Sequence, residues 1–261
     1  MVRLSYARYC AEIVTQTELL CGAIERADLI TTVPSCPGWN VGQLLRHLGG
    51  GHRWVETIVR TRATQPPSDE AFRDLSPYTR EDPAVLLPWL ADGAARLADA
   101  LLRAGPEADM WTAVPGAGPL FWARRFTHET AVHRADATLA LGAEFTLDEQ
   151  VALDALDEWM ELGSLPEMFE FHPEQRELLA PGRTIHLHAT DAAPGAAAEW
   201  VVDLTGDRIA WRPAHEKAAV AVRGPLTALL LMVYGRREPT GLEVFGDREL
   251  LDFWLKRVAF G

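Results

Sequence analysis

Two stretches of the 261-residue chain hold side chains that could grip a cation. In LLRHLGGGHRW (residues 44–54), His47 and His52 bracket three consecutive glycines, and in FTHETAVHRAD (residues 126–136), Glu129 precedes His133 by four positions. Side chains at i and i+4 of a helix lie one above the other. Glu129 and His133 can therefore aim at a common point, the arrangement by which two helical residues hold one metal ion. Trp122, Phe126, Glu129, His133 and Ala137 step 4, 3, 4, 4 and share one face. The apolar members predict that this face looks inward, where a bare carboxylate is costly unless paired or coordinated. A cation would satisfy it, and so would a buried Glu–His hydrogen bond.

A third donor from another helix would favour the cation. Counting about 100° per residue from Val41, His52 falls within the Leu44–Leu45–Leu48 stripe and His47 on its flank. Gly49, Gly50 and Gly51 weaken that extrapolation, because glycine is a poor helix former. Periodicity leaves both histidines open.

The elements that must position these groups can be read from pattern. Residues 3–28 show apolar positions at three- and four-residue spacing, a first helix. After the Pro- and Gly-broken TTVPSCPGW, Asn40 and Gln43 form a capping-box pair that opens a second helix. Residues 61–81 are rich in Pro, Ser and charge, and so long a connection in a compact domain is a candidate substrate-defining loop. Asp82–Pro83 opens a third helix in the cap and first-turn positions, with Pro88 an expected kink. A fourth helix spans about 119–141, and Thr146 with Glu149 is expected to cap a fifth over about 147–162.

Near residue 165 the texture changes. TIHLHAT alternates Ile185, Leu187 and Ala189 with His186, His188 and Thr190, a strand with one buried face. EWVVDL and RIAWRP flank a Gly206–Asp207 turn as a hairpin. AAVAVRG is expected as a strand, PLTALLLMVYGRR as a helix, LEVFGD as a strand and RELLDFWLKRVA as a closing helix. The expected architecture is an all-helical N-terminal domain over residues 1–165 and a small α+β domain over residues 180–261, joined across roughly 163–183.

Composition limits the partners. A net charge of −12 argues against nucleic acid, since counterion release rewards clustered Lys and Arg. No apolar run approaches the roughly 20 residues of a membrane span, and MVRLSYARYCAEIV lacks the features of a signal peptide. A cytoplasmic protein is expected. Cys10 and Cys21 would lie too far apart along one helix to bridge. All three cysteines read as structural, with Cys36, between Ser35 and Pro37, the one candidate for a reactive thiol. No G-x-G-x-x-G, Walker, G-x-S-x-G or H-E-x-x-H motif occurs.

CPGWNVGQLLRHLGGGHRW, followed some eighty residues later by ETAVHRADA, resembles the N-terminal domain of the mycothiol-dependent maleylpyruvate isomerase family, a DinB-like four-helix bundle. The tail VRGPLTALLLMVYGRREPTGLEVFGDRELLDFWL is similar to that family's SCP2-like α+β C-terminal domain. The resemblance implies a divalent metal, zinc first and nickel second, held by His47, Glu129 and His133. His52 then becomes a pocket residue, against the helical wheel, and His128 a neighbour off the stripe.

Two histidines and one carboxylate leave coordination positions open, as in catalytic zinc sites. A thiol bound there would lose its proton, and the resemblance supplies mycothiol as the low-molecular-weight thiol. The implied activity is an isomerase or S-transferase acting on a small electrophilic substrate, in a monomer or homodimer, with catalytic and thiol-binding residues unassigned. Arg53, Arg125 and Arg134 flank the motifs as unassigned cations for an acidic substrate. Asp136 is a candidate acceptor for a ligating histidine.

The rival readings are a non-catalytic small-ligand binder with structural histidines, and a family member in a biosynthetic pathway with thiol-independent chemistry at the metal. His186 and His188 are expected on the outer face of their strand with no third ligand nearby. His172 and His215 fall in loop-like surroundings, and the tryptophans of the helical half read as core and pocket wall.

Overall fold

The computed structural model describes residues 3–258, apart from the side chain of Ala71. Residues 4–145 form one compact unit, and residue 3 with 146–258 forms the other. The first unit is helical: α1 (Tyr6–Ile24), α2 (Val41–Thr61), a one-turn α3 (Glu70–Arg73), α4 (Pro83–Ala104) and α5 (Gly118–Ala140). α1 and α2 each pack against both α4 and α5, which closes a four-helix ring.

Local chemistry sets the ends of these helices. The Ser5 side chain accepts from the Arg8 amide and starts α1. Asn40 and Gln43 exchange both bonds of a capping box at the head of α2. Asp82 caps α4 with Pro83 in its first turn, and the helix runs on through Pro88. α2 also runs unbroken through its three glycines. A Cβ on Gly49 would overlap the Trp89 ring, one on Gly50 would overlap the Phe72 side chain, and one on Gly51 would come within 3.2 Å of the Phe126 ring. The run costs helix propensity, about 1 kcal/mol per glycine, and admits three aromatic rings against the backbone. Leu20, Ile24, Leu44, Leu45, Leu48, Leu86, Leu90 and Ala137 fill one core cluster of the bundle.

The second unit begins with α6 (Glu149–Gly163), followed by α7 (Met168–Phe171), a 3-10 turn (Pro173–Leu178), β1 (Thr184–Ala189), β2 (Glu199–Asp203), β3 (Ala210–Arg212), β4 (Val220–Gly224), α8 (Leu226–Val233), β5 (Glu243–Gly246) and α9 (Arg248–Val258). The strand order is β3-β2-β1-β4-β5. β1 and β4 are parallel and the other pairs antiparallel. The longer helices and the strands fall where apolar periodicity places them, whereas α3, α7 and the 3-10 turn lie in segments read as connections and the cap of α6 differs. Asp148, not Thr146, accepts from the amides of Gln150 and Val151.

α6 also packs with the sheet unit, whereas the sequence reading ends the first domain beyond it. The Trp200 indole donates to Asp157 Oδ1 at 2.7 Å, and Trp159 stacks edge-on against Trp254. Apolar periodicity shows that a helix has a face to bury and leaves its partner unspecified. Among the described residues, no helix is long and apolar enough to cross a membrane.

Candidate metal centre

α5 is buried around most of its circumference, with Thr127, His128, Thr130, Arg134 and Asp136 among its buried residues. Glu129 is the departure. Its side chain is 33% exposed, while that of His133 is 8% exposed. The sequence reading turned the carboxylate into the core; the structure sets it at the margin, where solvent reaches it. His47 faces it from α2 with its side chain 20% exposed.

One donor atom from each of His47, Glu129 and His133 lies within 4.8 Å of the others. Glu129 Oε1 is 3.1 Å from His133 Nε2 and 3.9 Å from His47 Nε2. The two imidazoles meet edge to face, centroids 5.2 Å apart. The other carboxylate oxygen, Oε2, accepts from Arg125 at 3.3 Å.

The remaining ring nitrogens are also engaged. His133 Nδ1 lies 2.9 Å from Asp136 Oδ2, and His47 Nδ1 lies 3.2 Å from the carbonyl of Phe72. Asp136 is fully buried and in turn accepts from Ser35 Oγ at 2.6 Å and Cys36 Sγ at 3.6 Å. Burial alone would lower the His133 pKa, but Asp136, Cys36 and Glu129 hold it well above the ordinary imidazole value. Burial opposes ionisation of Glu129, yet hydrogen bonds from His133 and His47 hold its carboxyl well below the usual range.

His52, which the helical wheel favours, is completely buried. Its Nε2 lies 3.0 Å from Thr130 Oγ1, and its Nδ1 meets no partner. Burial, with Arg53 adding like charge, pushes this imidazole down to about 3. It is a neutral core histidine, and the flank position of His47 is the one that reaches Glu129. His128 is likewise buried.

Of the flanking arginines, Arg125 contacts the candidate donors, through Glu129. Arg53 donates to the Trp89 carbonyl and lies over that ring, and Arg134 donates to Gln16 Oε1. Cys36, His133 and Asp136 form a second convergent group, but it engages the nitrogen of His133 turned away from Glu129.

The 62–82 connection reaches the site. Asn40, Gln43, Arg46 and His47 along one side of α2 hold Thr79, Leu75, Glu81 and Phe72 respectively. The Phe72 ring lies 5.7 Å from that of His47, with Trp39 on another side at 4.9 Å. Trp54, Trp111 and Trp122 stack beyond Phe72, each centroid 5.6–5.7 Å from the next. These contacts have a signal in sequence, polar residues at i, i+3 and i+7 beside an apolar stripe, but their partners lie in an irregular segment.

Comparison with known proteins accords with this architecture. The family model described as the mycothiol maleylpyruvate isomerase N-terminal domain matches residues 10–138, and that of the family's C-terminal domain matches residues 150–253. Among solved structures, a mycothiol-dependent maleylpyruvate isomerase superposes with a TM-score of 0.62 at 16% identity, covering 92% of this chain and 93% of that one. A histidine-to-alanine variant of that enzyme superposes with the same values. No curated protein sequence matches the chain. Two family models that together span both compact units place the chain in the mycothiol maleylpyruvate isomerase family.

Proposed function

We propose that His47, Glu129 and His133 hold a divalent metal ion, zinc first and nickel second, and that the protein uses it with mycothiol to isomerise a small electrophilic substrate. The observation that carries this reading is the way the two imidazoles are held. Each has Nδ1 engaged by an acceptor, Asp136 or the Phe72 carbonyl, and each turns Nε2 toward the same oxygen of Glu129. Metal-ligating histidines are oriented in this way. Two nitrogens and one carboxylate oxygen suit zinc and leave room for a further ligand. The exposure of Glu129 gives that ligand a path.

When bound, the ion supplies the acidity that keeps a thiol deprotonated near neutral pH. The protein's own groups do the rest. Asp136 fixes the tautomer and tilt of His133, and the Phe72 carbonyl does the same for His47. Arg125 holds Glu129 Oε2, leaving Oε1 toward the imidazoles. Trp39 and Phe72 wall the His47 side.

In the proposed reaction the thiol sulfur adds to an electron-poor cis double bond, the carbon–carbon bond rotates while single, and the sulfur leaves as the double bond re-forms. An S-transferase would retain the new carbon–sulfur bond. The segment 61–81, which contributes Phe72 to the site, is proposed to define the substrate.

The test joins metal analysis to activity. Protein carrying His215→Ala, so that the histidine cluster of the sheet does not contribute, should contain one equivalent of metal that is lost on His133→Ala, and cis–trans isomerisation of maleylpyruvate should require added mycothiol. Activity without thiol would favour thiol-independent chemistry at the metal. Absence of metal from active protein would refute the proposal.

A further inference from the structure

A second group of imidazoles lies on the sheet unit, far from the bundle in sequence. His186 and His188 alternate along β1 with buried Ile185 and Leu187, so both project from the face opposite that core. In the antiparallel pairing of β1 with β2, His188 stands opposite Glu199, which puts their side chains on one face. His215 arrives from the segment between β3 and β4. Glu199 Oε2 lies 2.8 Å from His186 Nε2, 2.6 Å from His215 Nδ1 and 3.6 Å from His188 Nδ1. The three rings pack with centroids 5.4–6.0 Å apart. The sequence reading expected no third ligand near His186 and His188, and the structure supplies two.

We propose that His186, Glu199 and His215, with His188 as the fourth donor, form a second metal site that takes a borderline transition-metal cation of the zinc, nickel or copper class. One donor atom from each of the first three lies within 4.8 Å of the others. Three nitrogens and one carboxylate oxygen suit that class and not magnesium or calcium, which demand oxygen ligands. A tetrahedral zinc site with ligands at about 2.0–2.1 Å sets its donors about 3.3 Å apart. The distances from Glu199 Oε2 to the three imidazole nitrogens, 2.6–3.6 Å, straddle that value.

The donors differ in exposure. The His186 side chain is 7% exposed and anchored on a strand, whereas that of His215 is 75% exposed on its loop. Four protein ligands make a closed, structural site rather than a catalytic one.

Strand order gives the site a purpose. β3 is the far neighbour of β2, and β4 lies beyond β1. The segment 213–219 must therefore cross both β2 and β1 before β4 can pair in parallel. His215 sits within that strap, and Arg212 braces it through Glu216 at 2.6 Å and 3.0 Å. An ion shared by His215 and the two strands beneath would pin the crossing to the sheet.

The test uses tag-free full-length protein in which His47→Ala and His133→Ala disable the bundle group, so that remaining metal reports on the sheet alone. Zinc titration against a chromophoric chelator should find one equivalent, with a rise in Tm on zinc addition. His215→Ala, at an exposed loop position, and Glu199→Gln should each weaken that binding at least tenfold and remove the zinc-dependent rise in Tm. Cobalt substitution should give the intense visible absorption of a tetrahedral site. Failure of the bundle variant to bind zinc, or binding indifferent to His215→Ala, would overturn the proposal. Neither result bears on the bundle site, which is assayed by restoring His47 and His133.

Discussion

Replacing Asp136 tests the bundle site without touching any proposed ligand. The carboxylate is completely buried, accepts from Ser35 Oγ through one oxygen, and lies 2.9 Å from His133 Nδ1 through the other. In Asp136→Asn the amide oxygen can still accept from His133, while the amide nitrogen can donate to the Ser35 hydroxyl. Hydrogen bonding then survives and the charge is lost. In Asp136→Ala both are lost, and the imidazole is free to rotate or change tautomer. Removing such an outer partner typically weakens metal binding 10- to 100-fold, or about 1.4–2.7 kcal/mol. The two variants should therefore bracket that range, with asparagine near tenfold and alanine near a hundredfold.

The assay is competition for zinc between the protein and a chelator of known affinity, at fixed pH, with the His215→Ala substitution present so that the sheet cluster does not contribute. Ser35→Ala is the control. It removes one neighbour of Asp136 and keeps the charge, and should shift affinity by less than about threefold. Zinc affinity unchanged in Asp136→Ala, with the fold intact, would refute the idea that this carboxylate orients His133 as a ligand.

Further expectations follow from the same geometry. Gly50→Ala gains about 1 kcal/mol of helix propensity but drives a methyl into Phe72. It should therefore weaken zinc binding, through the displaced carbonyl, more than it changes Tm. His52 is held neutral by burial, at about 3, against roughly 6.5 in the unfolded chain. The unfolded state then binds the extra proton, so stability is unaffected above that value and falls as pH drops below it. The loss is about 2 kcal/mol between pH 7 and 5, and His52→Gln should abolish that share of the slope in urea titrations. Trp200→Phe would leave the buried Asp157 without its indole partner. It should lower stability by about 1–3 kcal/mol, read in chemical denaturation, without altering zinc binding by the bundle.

Much of the fold was legible because the signals were local. The Asn40–Gln43 capping box, the Asp82–Pro83 start and the strand over TIHLHA each appear as the structure has them, although His186, expected on an outer face, is buried. The i, i+4 spacing of Glu129 and His133 likewise marked the candidate site. The choice between His47 and His52 was not local. A wheel referenced to the leucine stripe finds the residue that faces the core, and it finds it correctly, since His52 is sealed against Thr130. A ligand open to substrate belongs at the flank of the stripe, where two helices part. The His186 cluster was hidden for another reason. Its members come from two strands and a loop, and only the pairing register of β1 with β2 brings Glu199 beside them. The partner of α6 also depended on tertiary packing.

The contact between His47 and Phe72 is made through a main-chain oxygen. Any amino acid at position 72 can offer that oxygen, so the bond itself does not depend on the side chain, whose ring packs separately against His47 and Trp54. The length of the connection is not equally free, because an insertion or deletion would move the peptide unit that aims the imidazole. On the proposed function, substitutions at position 72 would therefore disturb the ion less than changes in loop length, which would move the group that orients His47.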